Sequence, residues 1–155
     1  MKATDLLKKQ HREVKGLFKK IEKASGAQQR RRLLEEVTMN LEAHATIEEE
    51  LFYPAVRGLE TKKAEEMVAE AFEEHHVVKL VLAELPQVDV EDERFEAKMT
   101  VLSELVEHHV EEEEKEMFKL AERLGREEMT ELAERMLERF EQITGKASQP
   151  RRRAA

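Results

Sequence analysis

The chain contains two copies of one helical pattern, and this internal repeat limits the available folds more than any other feature. Apolar residues stand at the same offsets around each matched pair of polar residues, at the spacing of a helix face. The matched residues lie about 65 positions apart and are His11 with His75, His44 with His109, and Glu48 with Glu113. The sequence therefore predicts two similar helical hairpins that present matching histidines from their apolar faces.

Composition favours long amphipathic helices over strands. Charged residues make up 40% of the chain and hydrophobic residues another 40%, whereas aromatic residues contribute 5% and there are 5 Gly and 3 Pro. This balance, with helical spacing of Leu, Val and Met, is typical of helical bundles. Caps at Thr4 and Asp89 and breaks at Gly26, Pro86 and Gly125 divide the chain. The predicted helices span 5–24, 28–58, 62–85, 90–124 and 126–143.

Short links join the first four of these helices, and short links favour antiparallel neighbours. The predicted fold class is therefore all-α, an up-down antiparallel four-helix bundle with a short fifth helix at its C-terminal end. At 155 residues the chain is expected to form one domain, over residues 1–145. The segment 146–155 is basic and nearly free of large apolar side chains, which predicts a disordered tail.

Charge and hydropathy argue against several classes of partner. The formal net charge of -8 disfavours nucleic acids and acidic membranes, because both are polyanions. No apolar run approaches the roughly 18 residues that cross a bilayer, and the first residues contain no apolar signal core. With zero cysteines, disulfides, thiolate metal sites and thiol nucleophiles are excluded. A cytoplasmic protein is expected, with monomer and dimer both open.

Four of the six histidines fall on apolar faces, one on each helix of the bundle, and these are His11, His44, His75 and His109. Glu48 and Glu113 follow His44 and His109 by one turn, so each pair shares a helix face. An unpaired buried carboxylate is costly enough to be protonated, paired or bound to a metal. No Lys or Arg occupies the inward positions near the two glutamates. These six side chains therefore predict a buried metal site.

Other interpretations apply to single residues. A lone histidine on an apolar face is more often a hydrogen-bonded core residue, but four of them, one per helix, argue against that reading. His76 and His108 are expected on the surface, and the run 111–114 is interpreted as a solvated face, with chemistry assigned only to Glu113. Nitrogen and carboxylate ligands suit a pair of iron or manganese ions, and imidazole also suits zinc.

The segments that carry these residues resemble a known family. QHREVKGLF, EAHATIEEELFYPAV, EEHHVVKLVLAEL and EHHVEEEEKEMFKLA are together similar to the hemerythrin-like (HHE cation-binding) domain, over about residues 4–124. Its signature of His, HxxxE, His and HxxxE is matched by His11, His44 with Glu48, His75, and His109 with Glu113. The resemblance implies two non-haem iron ions with an oxo or hydroxo bridge, bridging glutamates and terminal histidines. A ferritin-type site needs Glu-x-x-His on two helices, and only Glu73 with His76 fits.

The chain departs from the oxygen-carrying members of that family in two ways. Lys79 stands where they have a fifth histidine, and the last carboxylate is spaced HxxxE instead of HxxxxD. Losing one histidine leaves about two coordination positions open instead of one, which favours peroxide turnover over reversible oxygen carriage.

Tyr53 is a further candidate for the site. It follows Glu48 by five residues, and regular helical phase would turn its side chain away. Pro54 offers a way to loosen that turn and bring the phenol toward the metal. Ordinary packing of an amphipathic tyrosine is the alternative.

The resemblance implies reaction with dioxygen or hydrogen peroxide, in oxidative-stress defence or sensing. Catalase-like disproportionation of peroxide is the first enzymatic reaction to test. Two other hypotheses stay open: reversible oxygen binding or iron storage without turnover, and an interaction module that presents the fifth helix and the tail to a partner.

Overall fold

The computed structural model describes residues 1–146, and all the regular secondary structure in this range is helical, without strands. Its α-helices are α1 (Ala3–Lys23), α2 (Ala27–Ile47), α3 (Tyr53–Arg57), α4 (Lys62–Glu84), α5 (Glu93–Glu112), α6 (Phe118–Ala121) and α7 (Arg126–Thr144). Two π-helical turns, Glu48–Phe52 and Glu113–Met117, join α2 to α3 and α5 to α6. Short 3-10 turns follow α4 at Leu85–Gln87 and α6 at Glu122–Leu124. The predicted tail lies outside the described residues from residue 147 onward.

These elements form the predicted helical bundle with a fifth helix, and two of the predicted caps were wrong. The first helix begins at Ala3, so Thr4 lies buried in its first turn instead of capping it. Helix α5, the fourth long helix, begins at Glu93 because the carboxylate of Asp92 accepts a hydrogen bond from the amide of Arg94. Asp89 closes the preceding loop by accepting from the amide of Glu91. None of the helices in residues 1–146 is both long and apolar enough to span a bilayer.

The core is divided into two apolar clusters along the bundle axis. One cluster contains Leu17, Val37, Leu82, Phe95 and Leu102 among its buried members. The other is built from the ends of the rods and from α7, and its buried members include Leu7, Ile47, Phe52, Val68, Phe118 and Met136. The positions between these clusters carry histidine and glutamate. The bundle therefore encloses a polar layer between two apolar ones.

Two of the long helical segments, α2–α3 and α5–α6, contain a π turn at the level of this polar layer. The amide of Tyr53 donates to the carbonyl of Glu48, and the amide of Phe118 donates to the carbonyl of Glu113. Such bonds join residues five apart, so each turn holds one more residue than an α-helical turn. A glutamate and the aromatic residue five positions later therefore share the inner face of each rod.

Helix α7 closes one end of the bundle. Met129, Leu132 and Met136 are buried in the same cluster as Phe52 and Val56. A bidentate ion pair also ties the helix to the first π turn: Arg139 Nε donates to Glu50 Oε1 at 2.8 Å and its Nη2 to Oε2 at 3.2 Å. Because this pair is exposed, the apolar contacts are the main attachment of α7.

Truncating a buried side chain of α7 should destabilise the whole bundle. Met136 is fully buried, so we expect Met136→Ala to lower the free energy of unfolding by about 2–4 kcal/mol through lost transfer energy and a cavity. Urea denaturation followed by circular dichroism measures this change. Exposed Glu134 on the same helix provides the control, and Glu134→Ala should stay within about 0.5 kcal/mol of the parent. Equal effects of the two substitutions would contradict the assigned packing of α7.

Candidate metal centre

The structure brings all six predicted site residues together in the polar layer. The histidines come from α1, α2, α4 and α5, and the glutamates begin the two π turns. Every one of the six side chains is buried, with no residue more than 8% exposed. His76 and His108 lie on the exposed surface, as the sequence predicted.

One group of donors, here called the His11–His44 subsite, has no hydrogen-bond partners for its inner atoms. His11 Nε2 lies 3.2 Å from Glu113 Oε1, and His44 Nε2 lies 3.3 Å from Glu48 Oε2. These four atoms lie within 4.8 Å of one another. Each is buried and makes no hydrogen bond of acceptable geometry among the described residues, although both nitrogen–oxygen pairs lie within ion-pair distance. Four orphaned donor atoms that converge on one point fit a bound cation, since buried polar atoms are otherwise satisfied.

A second group, the His75–His109 subsite, uses the other oxygens of the same carboxylates. His75 Nε2 lies 3.1 Å from Glu48 Oε1, and His109 Nε2 lies 3.2 Å from Glu113 Oε2. The two Nε2 atoms are 3.2 Å apart. Each glutamate thus directs one oxygen to each subsite, which is the arrangement that bridging carboxylates require.

Tyr53 belongs to the second group. Its side chain is fully buried, and its hydroxyl donates to Glu113 Oε2 at 2.5 Å and to Glu48 Oε1 at 3.1 Å. The hydroxyl also lies 3.2 Å from His75 Nε2 and 3.3 Å from His109 Nε2. The phenol oxygen therefore faces the same point as the inner atoms of this subsite.

The π turn at Glu48–Phe52 is what brings the Tyr53 side chain to the centre. Such a turn does not require a proline like Pro54. The second rod makes the same turn at Glu113–Met117, where the following residue is Phe118 and no proline is present. The two aromatic residues occupy equivalent positions of the repeat, but only Tyr53 carries an oxygen. The centre is therefore asymmetric.

Sequence reasoning missed the partners of the outer ring nitrogens. Each Nδ1 lies within 2.7 Å of a side-chain oxygen on another rod, and the pairs are His11 with Glu114, His44 with Gln10, His75 with Glu49, and His109 with Glu74. Glu114 was wrongly assigned to a solvated face. The available signal was adjacency, because each partner is next in sequence to one of the six site residues. These contacts fix ring orientation and direct Nε2 inward, as outer partners of metal-bound histidines do.

Electrostatics of the cluster follow from burying two carboxylates beside histidines. The ion-pair partners of Glu48 and Glu113 in the described residues are all histidines. Burial alone lowers the pKa of His75, but its hydrogen bonds to Glu48 and Glu49 outweigh burial and raise the pKa to about 9. Burial, Glu113 and Glu48 together raise the pKa of Tyr53 well above its usual value. The cluster thus draws positive charge, which protons or metal ions can supply.

Fold and site together define a helical bundle with a buried cluster of imidazoles and carboxylates that could hold cations. The family model of the hemerythrin HHE cation binding domain matches residues 2–121. The chain therefore belongs to the hemerythrin HHE cation-binding family, which confirms the resemblance proposed from the motifs.

Similar proteins match most of the length of this chain. Uncharacterized proteins of Mycobacterium tuberculosis and Mycobacterium bovis are 30% identical over 148 residues, which cover 94% of this chain and 89% of theirs. The crystal structure of a hemerythrin HHE cation binding domain-containing protein from Mycobacterium kansasii superposes with a TM-score of 0.83 at 30% identity. That match covers 94% of this chain and 88% of the other, so it extends into α7.

The raised pKa of His75 predicts how the metal-free protein responds to pH. A group whose pKa is higher in the folded state contributes stability below its unfolded value, here 6.5, and loses that contribution as pH rises through about 9. We expect the free energy of unfolding of chelator-treated protein to fall between these pH values, by on the order of 2–3 kcal/mol. Urea denaturation at both pH values measures it. His75→Gln should weaken the dependence, and a flat or rising free energy in the parent would contradict the prediction.

Proposed function

We propose that this chain is a non-haem di-iron protein that disproportionates hydrogen peroxide. The supporting observation is the pair of donor groups that share two buried carboxylates without a lysine or arginine partner. Under this proposal Glu48 and Glu113, which direct one oxygen to each subsite, would be shared by the two ions. His11 and His44 would hold the ion of one subsite, and His75, His109 and Tyr53 would hold that of the other. Imidazole with several oxygen donors suits iron or manganese, and imidazole also suits zinc; the proposed reaction requires a redox-active metal, which favours iron over zinc.

The proposed reaction converts two molecules of hydrogen peroxide into one dioxygen and two water molecules. A pair of iron ions would supply its redox chemistry by accepting two electrons from one peroxide and returning them to the other. The chain supplies the fixed surroundings: the two carboxylates offset the positive charge, and the Nδ1 contacts hold the rings in place. Without metal, the hydroxyl of Tyr53 donates a hydrogen bond to Glu113 Oε2 at 2.5 Å, and ligation as a phenolate would require that proton to leave.

A small apolar space lies beside the centre. A cavity of about 40 Å³ adjoins all four histidines, with apolar walls that include Val14, Leu41, Leu82 and Val106. Since a single water needs about 10–15 Å³ by the same kind of measure, this volume is large enough for dioxygen or hydrogen peroxide. The cavity therefore supports a small inorganic substrate.

Lys79 bears on the choice between turnover and oxygen carriage. It stands at the position of the fifth histidine of the oxygen carriers, and its Nζ lies 3.1 Å from Glu49 Oε2 instead of facing the centre. If Tyr53 ligates, it would take one of the two positions that this loss leaves open, and the number of open positions would no longer favour turnover over carriage. Reversible oxygen binding or iron storage is therefore the second candidate function.

The setting we propose is oxidative-stress defence in the cytoplasm. A chain with zero cysteines has no thiol that peroxide could oxidise and no need of a disulfide-forming compartment.

Peroxide turnover separates the proposed enzyme from a carrier or store. We expect the iron-loaded protein to evolve oxygen from hydrogen peroxide, at a rate followed with an oxygen electrode. His75→Ala and Glu113→Ala should lower the rate at least about 100-fold, because each removes a ligand. His76→Ala, which changes the exposed neighbour of His75, should leave the rate unchanged. An iron-loaded protein that binds oxygen reversibly but releases none from peroxide would favour the second function.

Ligation by Tyr53 has a spectroscopic signature. A phenolate bound to ferric iron gives a visible charge-transfer band, so we expect such a band in the parent and its loss in Tyr53→Phe. At saturating iron the variant should still hold two equivalents, since the six other donors remain. A band that survives the substitution would exclude Tyr53 as its origin, and a parent without any band would contradict ligation.

A further inference from the structure

We propose that the two subsites bind metal with unequal affinity and fill in a fixed order, the His75–His109 subsite first. This inference rests on the di-metal centre proposed above and concerns how that centre is assembled. Three separate features of the chain point in the same direction: the aromatic residue beside each subsite, the partners of the outer ring nitrogens, and the charge of the neighbouring surface.

The aromatic residues break the symmetry of the repeat. The hydroxyl of Tyr53 lies within 3.3 Å of the Nε2 atoms of both His75 and His109, so this subsite has an additional oxygen donor. At the equivalent place in the other half, the ring of Phe118 lies parallel to that of His11, with 6.1 Å between ring centroids. Phe118 contributes no donor atom to the His11–His44 subsite.

The outer ring nitrogens show the same difference. Both histidines of the His75–His109 subsite contact carboxylates, Glu49 and Glu74. In the His11–His44 subsite one histidine contacts a carboxylate and the other contacts the neutral amide of Gln10. A carboxylate partner makes an imidazole a stronger ligand, and losing such a partner typically costs about 10–100-fold in metal affinity. Lys79 offsets part of the charge of Glu49, at 3.1 Å, whereas the ion-pair partners of Glu74 among residues 1–146 are histidines.

The surface next to each subsite extends this contrast. A groove of about 310 Å³ between α4 and α5 reaches His109 and Glu113, and its outer wall carries Lys63 and the glutamates Glu66, Glu70, Glu74, Glu112 and Glu116. The groove between α1 and α5 that reaches His11 is less acidic, because its four glutamates, Glu22, Glu107, Glu111 and Glu114, are accompanied by Arg12, Lys15 and Lys19. Glu74 of the first groove contacts His109 directly and favours a cation there, whereas the effect of the other carboxylates falls off over about 8 Å, the screening length at physiological salt.

These differences act on a pair of sites that cannot fill independently. Both subsites use Glu48 and Glu113, so the first cation neutralises charge that the second would otherwise meet. The second cation is also repelled by the first, which lies about 3.5–4 Å away in two-metal sites. Because the first cation weakens binding of the second, the ions bind one after the other, and the His75–His109 subsite, which has the higher intrinsic affinity, fills first.

Matched variants of the repeat test this order. The full chain, freed of metal by chelation, is titrated with Mn²⁺ by calorimetry, and we expect two steps that differ at least about tenfold in dissociation constant, equivalent to about 1.4 kcal/mol. His11→Ala and His75→Ala remove equivalent residues from the two halves. His11→Ala should keep the tighter step within about threefold, whereas His75→Ala should weaken it at least about tenfold.

Electron paramagnetic resonance provides an independent readout of the same order. With one equivalent of Mn²⁺ the parent should show the signal of an isolated ion, and with two equivalents that of a coupled pair. Phe118→Tyr, which gives both halves a phenol, should bring the two steps closer together without removing any ligand. This variant preserves ring size, so the test survives if an alanine variant fails to fold.

Several results would overturn the inference. Equal weakening of the first step in both alanine variants, or weakening only in His11→Ala, would show that the His75–His109 subsite is not preferred. A coupled-pair signal at one equivalent would show that the ions bind together instead of in order. A parent that binds no Mn²⁺ in this cluster would overturn the di-metal centre itself, which distinguishes failure of the proposed function from failure of the ordered filling.

Discussion

Two carboxylates buried side by side are the constraint on which this structure depends. Glu48 and Glu113 lie between two apolar clusters, where an uncompensated charge is expensive and where neither residue has a lysine or arginine partner among the described residues. Histidines from the four main rods provide the compensation, either as imidazolium or as fellow ligands of a cation. The bundle can therefore be understood as a scaffold that holds these charges in one place.

The two π turns explain how each of two long helical segments presents both a glutamate and an aromatic residue to the polar layer. In a regular α-helix, a glutamate and a residue five positions later face different directions, whereas a π turn aligns them. This alignment brings Tyr53 beside Glu48 and Phe118 beside Glu113. The repeat thus places an aromatic residue on each side of the centre, and the one oxygen by which they differ makes the two sides chemically distinct.

Much of the fold and the six central residues could be predicted because both follow from apolar residues that recur at the spacing of an α-helix. The apolar residues around His44 and His109 recur at helical spacing, so the inward direction of both rings is readable from the chain. The π turns were not readable, since an amide that bonds five residues back leaves no trace in the periodicity of the polar run 111–116. The partners of Nδ1 depend on the rotation of one rod against another, which is why Glu114 was interpreted as solvated although it contacts His11. The predicted helix caps at Thr4 and Asp89 were wrong for a related reason. Several nearby residues could cap each helix, and the local backbone geometry that selects one of them cannot be read from the sequence.

We propose, as the central claim, that the six donors and Tyr53 hold two metal ions, with Glu48 and Glu113 between them. Anomalous X-ray diffraction from crystals grown with iron tests this claim most directly. We predict two anomalous peaks in the polar layer, one against His11 and His44 and the other against His75 and His109, with both carboxylates between them. Crystals that contain iron elsewhere, or that show no anomalous peak within this cluster under iron-replete conditions, would contradict it.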